Sequence, residues 1–317
     1  MEKVRFGILG CGRIARRMAG ALARSRYAEL AGCAARQVRA AEDFAREFPG
    51  CRAYAGYQEL IESPDVDALY VATVHTRHGE LAGRALEAGR PVLVEKPMVV
   101  DPEEGEALVR LAQEKGVLLM EGFWTATLPA VRRVEDWIRE GRIGEPRLLR
   151  AAFCFASPVD PESRLWNPKL GGGALWDVGI YPVRYAMGLL GDPLQVTARV
   201  CRGSTGVDAS VEAVLEYPGA LASCMASICG YMDPDAVISG DEGWIRQTRF
   251  WGSRRAELYD SGGKLLEVFE DPQEEGFVHE VDHFARLVRE GKTESDRVSL
   301  RDTLAFVSLA GKILEER

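Results

Sequence analysis

Short apolar runs alternate with amphipathic stretches through the first part of the chain. The apolar runs have the length and composition of buried strands, and their sequences are VRFGILG, AELAGCAA, VDALYVAT, PVLVEK and VLLMEG. Between them lie segments with apolar residues at helical spacing, such as IARRMAGALARS and EEGEALVRLAQEKG. Repeated strand and helix build a parallel sheet with helices on both faces. The pattern therefore predicts a doubly wound α/β domain over residues 1–122.

The rhythm changes after about Phe123. One amphipathic helix, AVRRVEDWIREGRIG, is followed by long segments in which apolar and polar residues alternate, such as PRLLRAAFCFA and QVTARVCRGS. A predicted hairpin has Pro218 and Gly219 at its turn, and the last two segments have helical periodicity. We expect a second domain over residues 123–317, of the α+β type with a mostly antiparallel sheet.

Composition excludes several classes of protein. The 317 residues are 46% hydrophobic and 28% charged, which is typical of a globular protein, and the net charge is −8. Without a basic block, nucleic acid is not expected as a partner, and no apolar stretch is long enough for a membrane span. The seven scattered cysteines and the absence of signal-peptide features lead us to expect a cytoplasmic protein with reduced thiols.

The sequence GCGRIA lies between the first apolar strand and the first helix, and it matches the G-x-G-x-x-G/A fingerprint of dinucleotide-binding Rossmann folds. Gly10 permits the tight turn, Gly12 lets the backbone approach a pyrophosphate, and Ala15 keeps the helix close to the strand. Arg13 and Ile14 open a helix whose free N–H groups face the phosphates, so both are expected at the cofactor. The alternative is a strand-to-helix turn that merely needs glycine.

The choice between NAD and NADP is usually made at the end of the second strand, where an acidic residue binds the ribose 2′-hydroxyl. The segment Cys33–Gln37 contains no carboxylate, and it offers Arg36, with Arg39 nearby, to a 2′-phosphate. The alternative is an ordinary solvated start of a helix. We predict NADP as the preferred cofactor.

Lys96 follows the strand PVLV within the sequence VEKP. It therefore lies at the carboxyl end of a strand, the edge at which open α/β sheets bind ligands. Oxidation of an alcohol needs a base with a pKa near neutrality, and a lysine ammonium near the reacting oxygen lowers the pKa of such a base. Taken alone, a lysine before a proline is more often a surface residue.

Four ordered motifs resemble those of the glucose-fructose oxidoreductase and inositol dehydrogenase (Gfo/Idh/MocA) family: FGILGCGRIA, VEKP, EGFWT and LGGGALWDVGIYPV. The resemblance extends over essentially the whole chain. It implies an N-terminal Rossmann domain and a C-terminal α/β domain whose open sheet commonly forms an oligomer interface. A homodimer or homotetramer is therefore expected.

The resemblance also assigns catalytic residues. It makes Lys96 a catalytic lysine, often followed by a cis peptide bond, places Glu95 and Lys96 at the cofactor, and selects Asp177 and Tyr181. Residues four apart share a helical face, so Asp177 and Tyr181 are expected to point into one cleft. We expect Tyr181 to exchange the proton, Lys96 to lower the pKa of Tyr181, and Asp177 to orient the substrate or Lys96. The alternative is a capped helix with a half-buried tyrosine.

The same resemblance places Thr73, His78 and Trp124 beside the cofactor, although a helix-capping role for His78 is equally open. The chain departs from its relatives at two points. Many of them have a proline where this chain has Val74, and members similar to dihydrodiol dehydrogenase often have an arginine where it has Ala126. The second departure bears on the substrate.

Trp166, Asn167 and Trp176 flank the glycine run and are either an aromatic wall for a sugar ring or core residues. The sequence His279-Glu280-Val281-Asp282-His283 matches the zinc motif H-E-x-x-H, but no histidine follows as a third ligand, and no metal is expected.

The pattern as a whole favours an NADP-dependent dehydrogenase or reductase for a sugar, polyol or cyclic diol. The alternative is a non-catalytic NADP(H)-sensing regulatory protein of the same fold.

Overall fold

The computed structural model describes residues 2–316. Its first sheet has six parallel strands in the order β3-β2-β1-β4-β5-β6. The strands are β1 (Val4–Leu9), β2 (Ala28–Ala34), β3 (Arg52–Tyr54), β4 (Ala68–Val71), β5 (Val92–Glu95) and β6 (Leu119–Gly122). The order reverses between β1 and β4, which is the switch point at which doubly wound sheets bind nucleotides. The predicted Rossmann-type sheet is thereby confirmed.

Five helices connect these strands. They are α1 (Arg13–Leu22), α2 (Val38–Glu47), α3 (Tyr57–Glu62), α4 (His78–Glu87) and α5 (Pro102–Lys115). Helix α5 shows how the sequence sets its limits. The Asp101 carboxylate accepts a hydrogen bond from the Glu103 N–H, proline occupies the first helical position, and Gly116 ends the helix at a φ of 63°.

The second sheet has eight strands in the order β14-β13-β12-β11-β7-β10-β9-β8. The elements of this part are α6 (Pro129–Arg139), β7 (Pro146–Cys154), α7 (Ile180–Leu190), β8 (Gln195–Arg202), β9 (Asp208–Tyr217), β10 (Ala220–Ser227), β11 (Ala236–Gly240), β12 (Gly243–Gln247), β13 (Arg255–Asp260) and β14 (Leu265–Glu270). Only the pairing of β7 with β10 is parallel. The mostly antiparallel sheet is thus confirmed, as is the hairpin at Gly219.

Two further helices, α8 (Phe277–Arg289) and α9 (Leu300–Glu315), end the chain. Contacts divide the chain into two compact units, and the first contains Phe277–Leu304 in addition to the residues up to Phe123. Helix α8 packs on α1 and the first sheet, where the Phe284 ring meets the Phe6 ring edge-on. The prediction was one contiguous boundary after residue 122, whereas by contacts the first unit extends to Phe123 and also includes Phe277–Leu304.

Among residues 2–316, no helix combines the length and the apolar character that a membrane span requires.

Candidate active site

The turn between β1 and α1 needs glycine at two positions for different reasons. Gly10 has a φ of 106°, its N–H donates to the Ala34 carbonyl over 2.8 Å, and a Cβ there would lie 2.7 Å from the Ala72 oxygen. Gly12 precedes α1 with ordinary backbone angles, and no described heavy atom lies within 4 Å of the position of its Cβ. At Gly10 the missing Cβ therefore lets the turn pack closely against the end of β4. At Gly12 it leaves space for a ligand to approach the first N–H groups of α1.

The residues after Gly12 differ in their exposure to solvent. Arg13 is exposed, Ile14 is half-buried and Ala15 is fully buried against the sheet side. Arg36, in the loop after β2, and Arg39, in the first turn of α2, are both exposed.

The loop after β4 is tied to the loop after β5 by one histidine. His78 is fully buried, its Nδ1 lies 2.8 Å from the Pro97 carbonyl oxygen, and its Nε2 lies 3.2 Å from the Thr73 carbonyl oxygen. Burial lowers the pKa of His78 below its usual value. The imidazole ring therefore lies between backbone carbonyls of the two loops and links them. Thr73, half-buried, lies beside Gly10.

Lys96 is half-buried at the end of β5 and is followed by a cis peptide bond to Pro97. Its backbone N–H donates to Glu95 Oε2 over 3.1 Å, and the Tyr70 hydroxyl donates to Glu95 Oε1. Glu95 is itself buried, so its carboxylate braces the Lys96 backbone from inside the unit. These contacts give Glu95 a supporting role at the strand end, and its expected place at the cofactor stays a prediction.

In the second unit, Asp177 and Tyr181 are both buried, with 7% of each exposed. The helix predicted from about Ala174 begins with a π-helical turn, Leu175–Gly179, before α7. Asp177 lies in this turn and accepts a hydrogen bond from Arg164 over 2.6 Å. π turns are rare and frequent at functional sites. The α-helical spacing of four, used to predict a shared face, does not hold across the turn.

A buried carboxylate that sequence reasoning missed supports the π turn. Asp208 Oδ2 accepts the Leu175 N–H over 2.6 Å, and a Cβ on Gly173 would lie 2.0 Å from Asp208 Oδ1. Burial raises the pKa of Asp208 to about 6. The glycine run before Asp177 therefore makes room for Asp208, in addition to giving the loop its bend.

Aromatic rings surround the Tyr181 side chain. The Trp124 indole N–H donates to the Tyr181 hydroxyl over 3.2 Å. The Phe153 ring lies 5.4 Å from the Tyr181 ring and stacks on Trp251, with 3.7 Å between centroids. Neither Phe153 nor Trp251 was selected from the sequence, because an aromatic residue in a strand or loop gives no periodic signal. Trp166, by contrast, is 2% exposed within a core cluster.

The second histidine of the H-E-x-x-H sequence hydrogen-bonds to neighbouring side chains. His283 is buried, with Nε2 2.8 Å from the Ser295 hydroxyl and Nδ1 3.0 Å from the Arg286 guanidinium. Within residues 2–316, no group of three or more histidine, cysteine, aspartate or glutamate side chains is arranged to hold a metal ion.

Two family models match parts of the chain. A model of the GFO/IDH/MocA oxidoreductase family, NAD-binding Rossmann fold, matches residues 4–123, and a model of the GFO/IDH/MocA C-terminal domain matches residues 131–246. Trans-1,2-dihydrobenzene-1,2-diol dehydrogenase of Mus musculus is 33% identical over 327 residues, which cover 99% of this chain and 95% of that protein.

Two bacterial enzymes are also similar. The dTDP-3,4-didehydro-2,6-dideoxy-alpha-D-glucose 3-reductase of Streptomyces antibioticus is 34% identical over 297 residues, covering 91% of this chain and 90% of that protein. The structure of KijD10, a 3-ketoreductase from Actinomadura kijaniata in complex with NADP and TDP-benzene, superimposes with a TM-score of 0.88 at 31% identity. The match covers 99% of this chain and 97% of that one.

Proposed function

Because this chain belongs to the Gfo/Idh/MocA family of NAD(P)-dependent oxidoreductases, we propose that it transfers a hydride between NADP(H) and a sugar, polyol or cyclic diol. The reacting carbon carries a hydroxyl group in one direction and a carbonyl group in the other. When bound, the nicotinamide supplies the hydride chemistry, and the protein supplies binding, orientation and the proton.

The preference for NADP rests on charge at the end of β2. Arg36 and Arg39 are both exposed there. An acidic residue in this region would repel a 2′-phosphate, whereas a guanidinium binds phosphate through charge-assisted hydrogen bonds. The similar 3-ketoreductase was solved with NADP. The open side of Gly12 and the N-terminus of α1 suit the pyrophosphate of either cofactor.

The observation that carries the catalytic assignment is the hydrogen bond at Tyr181. Because its oxygen accepts the indole N–H of Trp124, the Tyr181 hydroxyl directs its own O–H towards another partner, as a proton donor to substrate oxygen must. The Phe153 ring lies next to the Tyr181 ring and stacks on Trp251, and we propose that this aromatic pair packs on the face of a sugar or cyclohexadiene ring. We assign Lys96 to lowering the pKa of Tyr181 and Asp177 to orienting the substrate.

We further propose a homodimer or homotetramer in the cytoplasm. Leu148 and Leu221 are paired neighbours on β7 and β10, and 58% and 46% of their surfaces are exposed. Exposed leucines on adjacent strands are typical of a surface covered by another subunit. The cysteines are free thiols, as in a reducing compartment. Sedimentation velocity tests the assembly, and a monomer would contradict it.

The function is tested in two steps. Isothermal titration with NADP, NADPH, NAD and NADH identifies the cofactor, and a panel of sugars, polyols and trans-dihydrodiols is then screened for turnover. We expect Lys96→Ala and Tyr181→Phe to lower kcat by a hundredfold or more, about 2.7 kcal/mol of barrier. Lys264→Ala and Tyr231→Phe are the matched controls.

Three outcomes separate the possibilities. Turnover that falls only in the Lys96 and Tyr181 variants supports the proposal. Parent-like rates in those variants would show that the catalytic assignment is wrong. Tight NADP(H) binding without turnover across the panel would instead favour the NADP(H)-sensing protein.

A further inference from the structure

Glu280, the glutamate of the H-E-x-x-H sequence, is fully buried in the first unit. It lies on α8 with none of its surface exposed, and neither carboxyl oxygen has a hydrogen-bond partner among residues 2–316. A Cβ built on Gly122 would lie 3.7 Å from Glu280 Oε1, so the carboxyl group reaches the carboxyl end of β6. The residue points inward to the same sheet edge that carries Lys96.

Two more buried carboxylates and one arginine act on Glu280. Glu95 at the end of β5 and Glu121 on β6 bring negative charge, while Arg17 on α1 brings positive charge. The Arg17 guanidinium lies over the Phe277 ring, 4.2 Å from its centroid. Glu280 therefore has two negatively charged groups and one positively charged group around it, and the Glu95 charge acts on it most strongly.

Both neighbouring carboxylates accept hydrogen bonds from backbone N–H groups of residues 96–98, which we call the Lys96 loop. Glu95 accepts the Lys96 backbone N–H, and Glu121 accepts the Met98 backbone N–H over 2.9 Å and the Thr303 hydroxyl over 3.0 Å. They thus hold the chain on either side of Pro97. A third negative charge beside them would repel both groups.

Physical chemistry excludes that third charge under ordinary conditions. An ionised carboxylate without hydrogen bonds is costly to bury, and a buried acid beside like charges keeps its proton. Burial, and then the charge of Glu95, raise the pKa of Glu280 well above its usual value.

We propose that Glu280 is a positioning residue: as an uncharged carboxylic acid it lets Glu95 and Glu121 hold the Lys96 loop, and its ionisation in alkaline solution loosens that loop. The consequence for catalysis rests on the proposed role of Lys96. The structural claim itself requires no turnover, so it can be tested even if the proposed substrate class is wrong.

The first test is infrared spectroscopy of the full chain across pH. At pH 8, above the pKa of about 6 of Asp208, the carbonyl stretch of a protonated carboxylic acid is expected in the parent protein, and it is expected to vanish in Glu280→Gln. The exposed Glu290, directly after α8, gives the matched control Glu290→Gln, which is expected to keep the band. A parent spectrum without a band that Glu280→Gln removes would overturn the proposal.

The second test follows Lys96. The chain has seven lysines, so ¹³C-methylated side chains give few NMR signals, and Lys96→Arg identifies the relevant one. In the parent protein the Lys96 signal is expected to show a step that coincides with loss of the infrared band, in addition to the alkaline step that the ammonium group of any lysine gives. In Glu280→Gln only the additional step is expected to disappear. Identical Lys96 titrations in the two proteins would refute the positioning role, and the pH series on the parent alone remains decisive if the variant fails to fold.

Discussion

Replacing each glycine of the β1–α1 turn by alanine adds one methyl group, and the two variants should separate effects on stability from effects on cofactor binding. In Gly10→Ala the new Cβ would lie 2.7 Å from the Ala72 oxygen, at a φ of 106°. Strained backbone and overpacking each cost about 1–3 kcal/mol, so the variant should lose on the order of 2–6 kcal/mol. In Gly12→Ala the Cβ meets no described atom within 4 Å, and the free energy of unfolding should fall by only about 0.5–1 kcal/mol, because alanine is a poorer N-cap residue than glycine.

Cofactor binding should be more sensitive to Gly12→Ala than to Gly10→Ala, the reverse of the order expected for stability. The Gly12→Ala methyl group occupies the approach to the N-terminus of α1, so NADP(H) should bind at least tenfold more weakly, a loss of about 1.4 kcal/mol. Thermal unfolding without cofactor and fluorescence titration with NADPH measure the two effects. A Gly12→Ala variant that binds NADPH like the parent would show that this turn is not the pyrophosphate site. A Gly10→Ala variant as stable as the parent would refute the packing argument.

Three further predictions concern other parts of the molecule. Arg36→Asp should weaken NADPH binding at least tenfold and leave NADH binding unchanged or stronger in calorimetry, because one charge-assisted hydrogen bond contributes about 1.5–3 kcal/mol; equal losses for both cofactors would contradict the assignment. Trp251→Ala should raise KM for cyclic substrates about tenfold, with Trp244→Ala as the control; an unchanged KM would place the ring elsewhere. Glu280→Gln should stabilise the chain in a pH-dependent way. Because the native pKa of Glu280 is raised, the unfolded chain loses this proton first as pH rises above about 4.5. Parent stability then falls by up to about 1.4 kcal/mol per pH unit relative to the variant, and parallel stability curves would exclude this.

The sequence predicts those parts of the fold and site that local patterns determine. Alternating strands and helices predicted the parallel sheet, because side-chain periodicity reflects which faces are buried, whereas the short β3 was not among the predicted runs. The fingerprint turn was predicted down to its glycines, since a turn depends on neighbouring residues in the chain. The lysine at the end of β5 followed from the same local reasoning.

Other features depend on contacts between distant residues, for which a single sequence carries no signal. Asp208 supports the π turn that contains Asp177 from a strand position 33 residues beyond Leu175. Trp251, which follows β12, stacks on Phe153 of β7, and Glu280 of α8 reaches the carboxyl end of β6. The members of each pair are far apart in the chain. The π turn was missed because one extra residue in a helical turn leaves the apolar pattern almost unchanged.

The return of α8 to the first unit also constrains how the protein is made and how it can be divided. The Phe6 ring, in the first strand, has its partner Phe284 near the end of the chain. A ribosome must therefore synthesise most of the polypeptide before the nucleotide-binding half can complete its core. A gene fragment that stops after residue 123 would leave that core open, whereas a graft of residues 1–123 joined to 277–304 would carry all the parts of the unit.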